Sequence, residues 1–464
     1  MTLFRSSTNE AGAKVLSNIK WGANGTRKTG DAVETGILTA LESATGSDTK
    51  KLEAIKSYVN WNTDAFATLN HENSYVANVP AGYYLVKDED NTLNGKDEAY
   101  TTFLVNVVGE NVELTPKSAK PRVDKFVQDE AADEDIDSKD GDGWGKTADH
   151  AINESFKFKL TATLPLDVDF GAYSTYKVQF TDTMSKGVTF ESIDSVTVDG
   201  QNVTGYDCTA TADQAGGKWT LTIDNIKSIS GVNLEDGAEI VVVYNAHLNE
   251  KADVNHKNGE TTNENKVYQE YSNNPNASGS GEELGKTPEE NVWVFTYEVD
   301  NTKVKATDYK PLAGAGFRLY TDAECSQEVA LIYDETLSAY RPTKDKETGV
   351  EMKSAKGTGV FNIVGLDAGV YHMRETTTPT GYNTCNDVTI VINARHQKTG
   401  SSNKVTFTED SNLTYIIENN AGTTLPSTGG MGTTVFYVVG GGLMAVAVVL
   451  LVTKKREEIG RAHV

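Results

Sequence analysis

Short apolar–polar alternation recurs along this chain, while sustained helical periodicity is scarce. Trp219 to Ile223, Ala238 to Tyr244, Val388 to Ile392 and Phe156 to Leu164 each place every second side chain on one face. Period two matches a strand with one buried face. The best helical stretch is Thr49 to Val59. At 464 residues the chain has room for about three domains. Strands of this length separated by turns predict a mainly β protein built from tandem Ig-like β-sandwiches.

Charge and cysteine content exclude several function classes. The chain carries 66 acidic and 43 basic residues, for a net charge of -23. A nucleic-acid binder needs a basic footprint, so that class is excluded. Three cysteines are too few for a disulfide scaffold. No Cys-x-x-Cys or His-x-x-x-His spacing occurs, so the expectation is no metal and no cofactor. The acidic run from Asp129 to Asp142 has calcium-like spacing. Trp144 stands where an EF-hand loop starting at Asp133 needs its bidentate Glu, so the run reads as a solvated loop. No Ser/His/Asp or Cys/His set stands out among the seven histidines, so no enzyme is expected.

The C-terminal end combines Leu425-Pro426-Ser427-Thr428-Gly429-Gly430, an apolar run from Val435 to Val452, and Lys454-Lys455-Arg456. The run is about 18 residues long, enough for one transmembrane helix. The basic cluster would stay cytoplasmic, placing everything before Leu425 outside the cell. The sextet resembles the LPXTG motif of Gram-positive surface proteins. The resemblance implies that a sortase cuts between Thr428 and Gly429 and holds the Thr428 carbonyl as a thioester until an amine attacks. Pilus-specific and housekeeping sortases and peptidoglycan are then the expected partners, and a secreted, wall-anchored surface location follows.

Composition shifts divide the chain at residues 1–120, 121–290, 291–421, 422–458 and 459–464. Ala277-Ser-Gly-Ser-Gly-Glu-Glu-Leu-Gly285 reads as a flexible linker. The third segment is expected to open with one strand running from Val292 through Lys303. Met1 to Ser6 lacks the apolar core of a signal peptide. Both Thr2–Ser6 and Glu458–Val464 back-translate into sequencing-adapter DNA. The expectation is that these ends are non-native and that the signal peptide and part of the first domain are missing.

In the third segment Lys303 precedes Pro311-Leu-Ala-Gly-Ala315. Tyr371-His-Met-Arg-Glu375 leads into Pro379-Thr-Gly-Tyr382, and Asn419 ends the last strand. This arrangement resembles the collagen-adhesin B-type domain, with Glu375 in the pilin E-box. The resemblance implies a spontaneous isopeptide bond from Lys303 to Asn419, assisted by Glu375. The chemistry asks for such residues. An apolar core lowers a lysine's pKa, a buried carboxyl has a raised one, and the fold holds amine and amide together. Related pilins carry a disulfide in this domain. Cys325 and Cys385 both lie here, outside a reducing compartment, so a bond between them is expected, with Cys208 left over.

The second segment resembles the isopeptide domain of backbone pilins. Lys125 lies on the opening strand, and Phe180-Thr-Asp182-Thr-Met-Ser-Lys-Gly-Val188 matches a family turn whose aspartate assists the bond. Asn265 is the favoured acceptor, with Asn273 and Asn274 as rivals. In the first segment Thr115-Pro116-Lys117 resembles the pilin motif, in which a lysine after proline attacks the sortase thioester. Thr115 stands where the family usually has Tyr, and Lys120 is a rival. The resemblance implies a structural subunit of a sortase-assembled pilus. It would join copies of itself, with minor pilins at tip and base and a host ligand the sequence does not name. A minor pilin or wall-anchored adhesin is the second reading.

Overall fold

The computed structural model describes residues 5–422 except 9–13, 45–50, 52–53, 56, 61–62, 90–91, 99, 109–110, 115–119, 130–142, 165–169, 171–172, 174, 233, 235–237, 255–262, 275–282, 345–347 and 408–411. Lys117, the acidic run beyond Asp129, the sorting sextet with Leu425, Pro426, Thr428 and Gly429, the apolar run and the extreme termini lie outside the described residues. Among the described residues no helix is long and apolar enough to cross a membrane.

The first segment holds the α-helix Thr35–Ser43; within the stretch Thr49 to Val59, expected to be helical, residues 51, 54 and 55 are helical among those described. Ile37 and Leu41, one turn apart, bury against Trp21, Val33 and Ile55. Only two of the helix's apolar residues, Ile37 and Leu41, are fully buried and it contains Gly36, which makes it a weak helix signal. An antiparallel hairpin pairs Gly82–Lys87 with Thr102–Val107.

The middle unit is one 12-stranded sheet. Its main path runs Trp144–Gly145, Arg122–Gln128, Ser155–Thr163, Glu239–Leu248, Val178–Val198, Glu264–Ser272, Glu290–Phe295, Thr147–Asp149. Only the last of these pairs is parallel. Alternation drives it: in Ser155–Thr163 the residues Phe156, Phe158, Leu160 and Ala162 are buried and Ser155 and Thr163 are exposed. Each large apolar side chain buried this way contributes about 1.5–3 kcal/mol. Phe180 to Val188 was expected to form a turn carrying Asp182, but the segment lies inside the 21-residue strand Val178–Val198. The turn-like Ser185-Lys186-Gly187 is a kink within that strand. A Cβ on Gly187 would meet Ala252 Cα at 2.6 Å, so only glycine fits there.

The last unit packs two five-stranded sheets face to face. Val299, Ile363 and Ile417 come from one sheet and Phe317, Met373 and Ile390 from the other, in a common core. Its first and last strands, Tyr297–Lys305 and Thr414–Asn419, lie parallel and adjacent. The single strand expected from Val292 through Lys303 is two. Glu290–Phe295 belongs to the middle sheet and Tyr297–Lys305 to the next, so the sheet changes at Thr296. A tight seam joins the two units. The Ile152 N–H donates to the Gly365 carbonyl at 2.9 Å, and a Cβ on Gly365 would lie 2.3 Å from Ile152 Cδ1.

Candidate functional sites

Among the described residues two lysines, Lys125 and Lys303, are wholly buried, and each sits with a carboxyl and an asparagine. In the last unit the parallel register sets Lys303 opposite Ile417 and Lys305 opposite Asn419. Lys303 and Asn419 are therefore diagonal neighbours on one inward face. Lys303 Nζ donates to Asn419 Oδ1 at 2.5 Å. Asn419 Nδ2 donates to Glu375 Oε1 at 2.8 Å, and that oxygen lies 3.8 Å from Lys303 Nζ. Glu375 Oε2 accepts from the Cys385 N–H at 2.8 Å. Phe317, stacked on Phe361, roofs the amine, its ring centroid 5.3 Å from Nζ. Burial lowers the Lys303 pKa, with Cys385 and Glu375 opposing the shift.

In the middle unit Lys125, Asp182 and Asn265 also converge, from three strands. Asp182 pairs with Val267 and Met184 with Asn265, which puts Asp182 and Asn265 on one face of neighbouring strands. Lys125 reaches them across the core from Arg122–Gln128. Its ammonium is in direct contact with Asp182 Oδ2. Tyr244 forms the hub, which the sequence reading missed. Tyr244 Oη accepts from Lys125 Nζ at 3.1 Å and from Asn265 Nδ2 at 2.6 Å, and donates to Asp182 Oδ2 at 3.1 Å. Its one proton and two lone pairs are all used. Tyr244 closes an alternating strand that marked it as core, and nothing in its spacing separated a hub from a packing residue. Phe158 and Tyr244 rings flank the lysine. Burial lowers the Lys125 pKa to about 8 against the pull of Asp182, and burial raises that of Asp182. Asp182 Oδ1 and Asn265 Oδ1 are buried without hydrogen-bond partners.

The rivals sit elsewhere. Asn273 Nδ2 donates to the Leu93 and Glu98 carbonyls, both at 3.2 Å, tying the middle sheet to the first segment. Asn274 donates to Glu283 at 3.2 Å. Lys120 Nζ is held by Asp97 Oδ2 at 2.7 Å and by the Asp97 carbonyl at 2.8 Å. The expected disulfide is corrected: Cys325, Cys385 and Cys208 are all free thiols. The Cys385 thiol is turned toward Lys303 and Glu375, and burial pushes it up to about 11. Cys325 lies instead at an exposed edge, its Sγ 3.9 Å from Asp387 Oδ2.

Residues 298–410 match a prealbumin-like fold domain of the SpaA family, and residues 417–458 match the LPXTG cell wall anchor motif. The anchor motif marks the chain as a cell-wall-anchored surface protein. A trypsin-resistant surface T6 protein of Streptococcus pyogenes serotype M6 is 25% identical over 287 residues, covering 56% of this chain and 46% of that protein. The chain thus spans about half the length of the curated relative it matches. Similar solved structures include the T6 backbone pilin of serotype M6 Streptococcus pyogenes, at 16% identity and TM-score 0.47, covering 90% of this chain and 95% of that one. Another is a 35 kDa C-terminal fragment of the Streptococcus agalactiae major pilin GBS80, at 18% identity and TM-score 0.46, covering 65% of this chain and 100% of that one.

Proposed function

We propose that this chain is the repeating subunit of a covalently polymerised surface pilus, stiffened by two internal Lys–Asn isopeptide bonds. The observation that carries the reading is the pairing of a C-terminal LPXTG anchor motif with two buried Lys–acid–Asn sites in successive β units. A surface chain has little other use for buried lysines, because an unreacted buried amine is destabilising.

In the last unit Glu375 takes a proton from the Lys303 ammonium. The neutral amine attacks Asn419 Cγ, Glu375 hands its proton to Nδ2, which leaves as ammonia, and the carboxylate then takes the second proton from Nζ and releases it to solvent, leaving a neutral amide. One C–N bond forms and one breaks. Glu375 already touches Nδ2 and lies near Nζ, so one carboxylate serves both transfers. In the middle unit Asp182 plays this part, with Tyr244 holding amine, amide and acid on a single oxygen. This is self-modification, a single turnover per chain, and the chain is otherwise a substrate of sortases.

Polymerisation uses Thr428 as acyl donor and Lys117 of the next copy as acceptor, a head-to-tail contact that does not close and so builds a filament. The Asp97 contacts hold the Lys120 amine and count against Lys120 as the nucleophile. The finished polymer would carry minor pilins at its tip and base and join peptidoglycan through a housekeeping sortase. Co-expression with the pilin sortase tests this. A ladder of multimers is expected, abolished by Lys117→Ala and kept by Lys120→Ala. No ladder from the unaltered chain would make it a singly anchored adhesin or minor pilin, and a ladder surviving Lys117→Ala would move the nucleophile.

A further inference from the structure

The seam between the middle and last units buries a second cluster of chemistry-bearing side chains, separate from both lysine sites. Asp129 follows the strand Arg122–Gln128, Asp149 ends Thr147–Asp149, and His396 lies in Ala394–Thr399. All three are buried, and one ligand-type atom from each lies within 4.8 Å of the others. His396 Nε2 is 3.2 Å from Asp129 Oδ2 and 4.0 Å from Asp149 Oδ2. Ligands about 2.0–2.2 Å from a tetrahedral ion stand roughly 3.3–3.6 Å apart, so this set needs only a small adjustment to close on one.

The imidazole is oriented from behind, as a ligand is, and both carboxylates are fixed by hydrogen bonds. His396 Nδ1 pairs with Thr147 Oγ1 at 2.8 Å, leaving Nε2 to face the carboxylates. Asp129 Oδ2 accepts from the Asp149 N–H at 3.2 Å, and Asp149 Oδ2 from the Tyr297 hydroxyl at 2.6 Å. Asp149 Oδ1 is buried with no hydrogen-bond partner. Phe295 stacks on the imidazole and walls the site.

Charge points the same way. Two buried carboxylates, Asp129 and Asp149, face the single imidazole of His396. Uncompensated buried charge is strongly unfavourable.

We propose that Asp129, Asp149 and His396 bind one divalent transition-metal ion, of the zinc or manganese class, that clips the middle unit to the last. One imidazole and two carboxylates suit such an ion better than calcium, which takes oxygen ligands alone. The spacing search could not find the site, since its ligands are 20 and 247 residues apart in sequence and only the fold assembles them.

The test uses the full chain, purified in detergent without a histidine tag and stripped with chelator. It is titrated with Zn²⁺, Mn²⁺ and Ca²⁺ by calorimetry, and also refolded with each ion so that a sealed seam cannot exclude it. We expect one Zn²⁺ or Mn²⁺ per chain, weaker Ca²⁺, and at least a 10-fold loss of affinity in His396→Gln and in Asp149→Asn. Unchanged circular dichroism identifies folded variants. Co²⁺ supplies an independent readout: a visible ligand-field band in the unaltered chain that His396→Gln abolishes. No ion taken up after refolding, Ca²⁺ bound more tightly than Zn²⁺, or variants that bind as tightly as the unaltered chain would overturn the proposal and leave a seam held by protons and ion pairs alone.

Discussion

The two buried lysines share a residue set but not an arrangement. Lys303 points its amine at the asparagine carbonyl, with Glu375 behind the amide nitrogen. Lys125 points at its acid, and reaches the amide only through Tyr244. The difference comes from topology. Lys303 and Asn419 lie on hydrogen-bonded parallel strands, so register alone aligns them. Lys125 crosses the core to two strands it does not pair with, and a bridging hydroxyl spans the gap. For the proposed reaction the last unit is therefore already aligned, while in the middle one the lysine faces its acid and would have to shift toward the amide. Register delivers one geometry and a side-chain hub the other.

Breaking each cross-link gives the largest effect. Lys303→Ala removes a link closing a separation of 116 residues. On the chain-entropy view this costs about 4–5 kcal/mol in denaturant unfolding of the last unit, with the middle unit unmoved. Similar unfolding of variant and parent would mean that no link formed. Tyr244→Phe comes next and should separate the two sites. It strips a partner from both Asp182 and Asn265, lowers the stability of the middle unit by about 1–3 kcal/mol and slows its bond, leaving the Lys303 bond at full yield. Equal yields in both units would show that Tyr244 only packs.

A smaller effect is the pH response of the unreacted middle site, trapped by Asn265→Ala. The Lys125 pKa is about 8 when folded, below a lysine's ordinary 10.5. Between these values the unfolded chain binds the extra proton, so stability rises with pH over that window. The destabilisation is fully present below about pH 8. Denaturation midpoints from pH 7 to 10.5 should rise in Asn265→Ala and stay flat in Asn265→Ala with Lys125→Met. Parallel curves would contradict the lowered lysine. Least affected should be Cys385→Ala, within about 1 kcal/mol, because the thiol is unbonded and half-buried. A thiol titration finding fewer than three free groups in the unfolded chain would restore a disulfide.

Much of this was legible in the sequence, for identifiable reasons. Strands such as Ser155–Thr163 announce themselves because one face is buried and period two follows. Lys303, Glu375 and Asn419 were legible because each sits in a recurring local context. The rest depends on long-range assembly. Asp182 looked like a turn residue because Ser-Lys-Gly follows it, yet the chain passes through as a kinked strand. The strand boundary at Thr296 was invisible because Val292 to Tyr297 is a continuous buried run with no Gly or Pro to mark the change of sheet. Tyr244 carries no local mark of its role, and neither does the pairing of Asp129 with His396.

The most direct test of the central claim is the intact mass of the folded chain. Each Lys–Asn bond expels one ammonia, about 17 Da, so two bonds predict a deficit of about 34 Da from the sequence mass. One deficit should be removed by Lys303→Ala and the other by Lys125→Ala. A mass equal to that of the sequence would contradict the account.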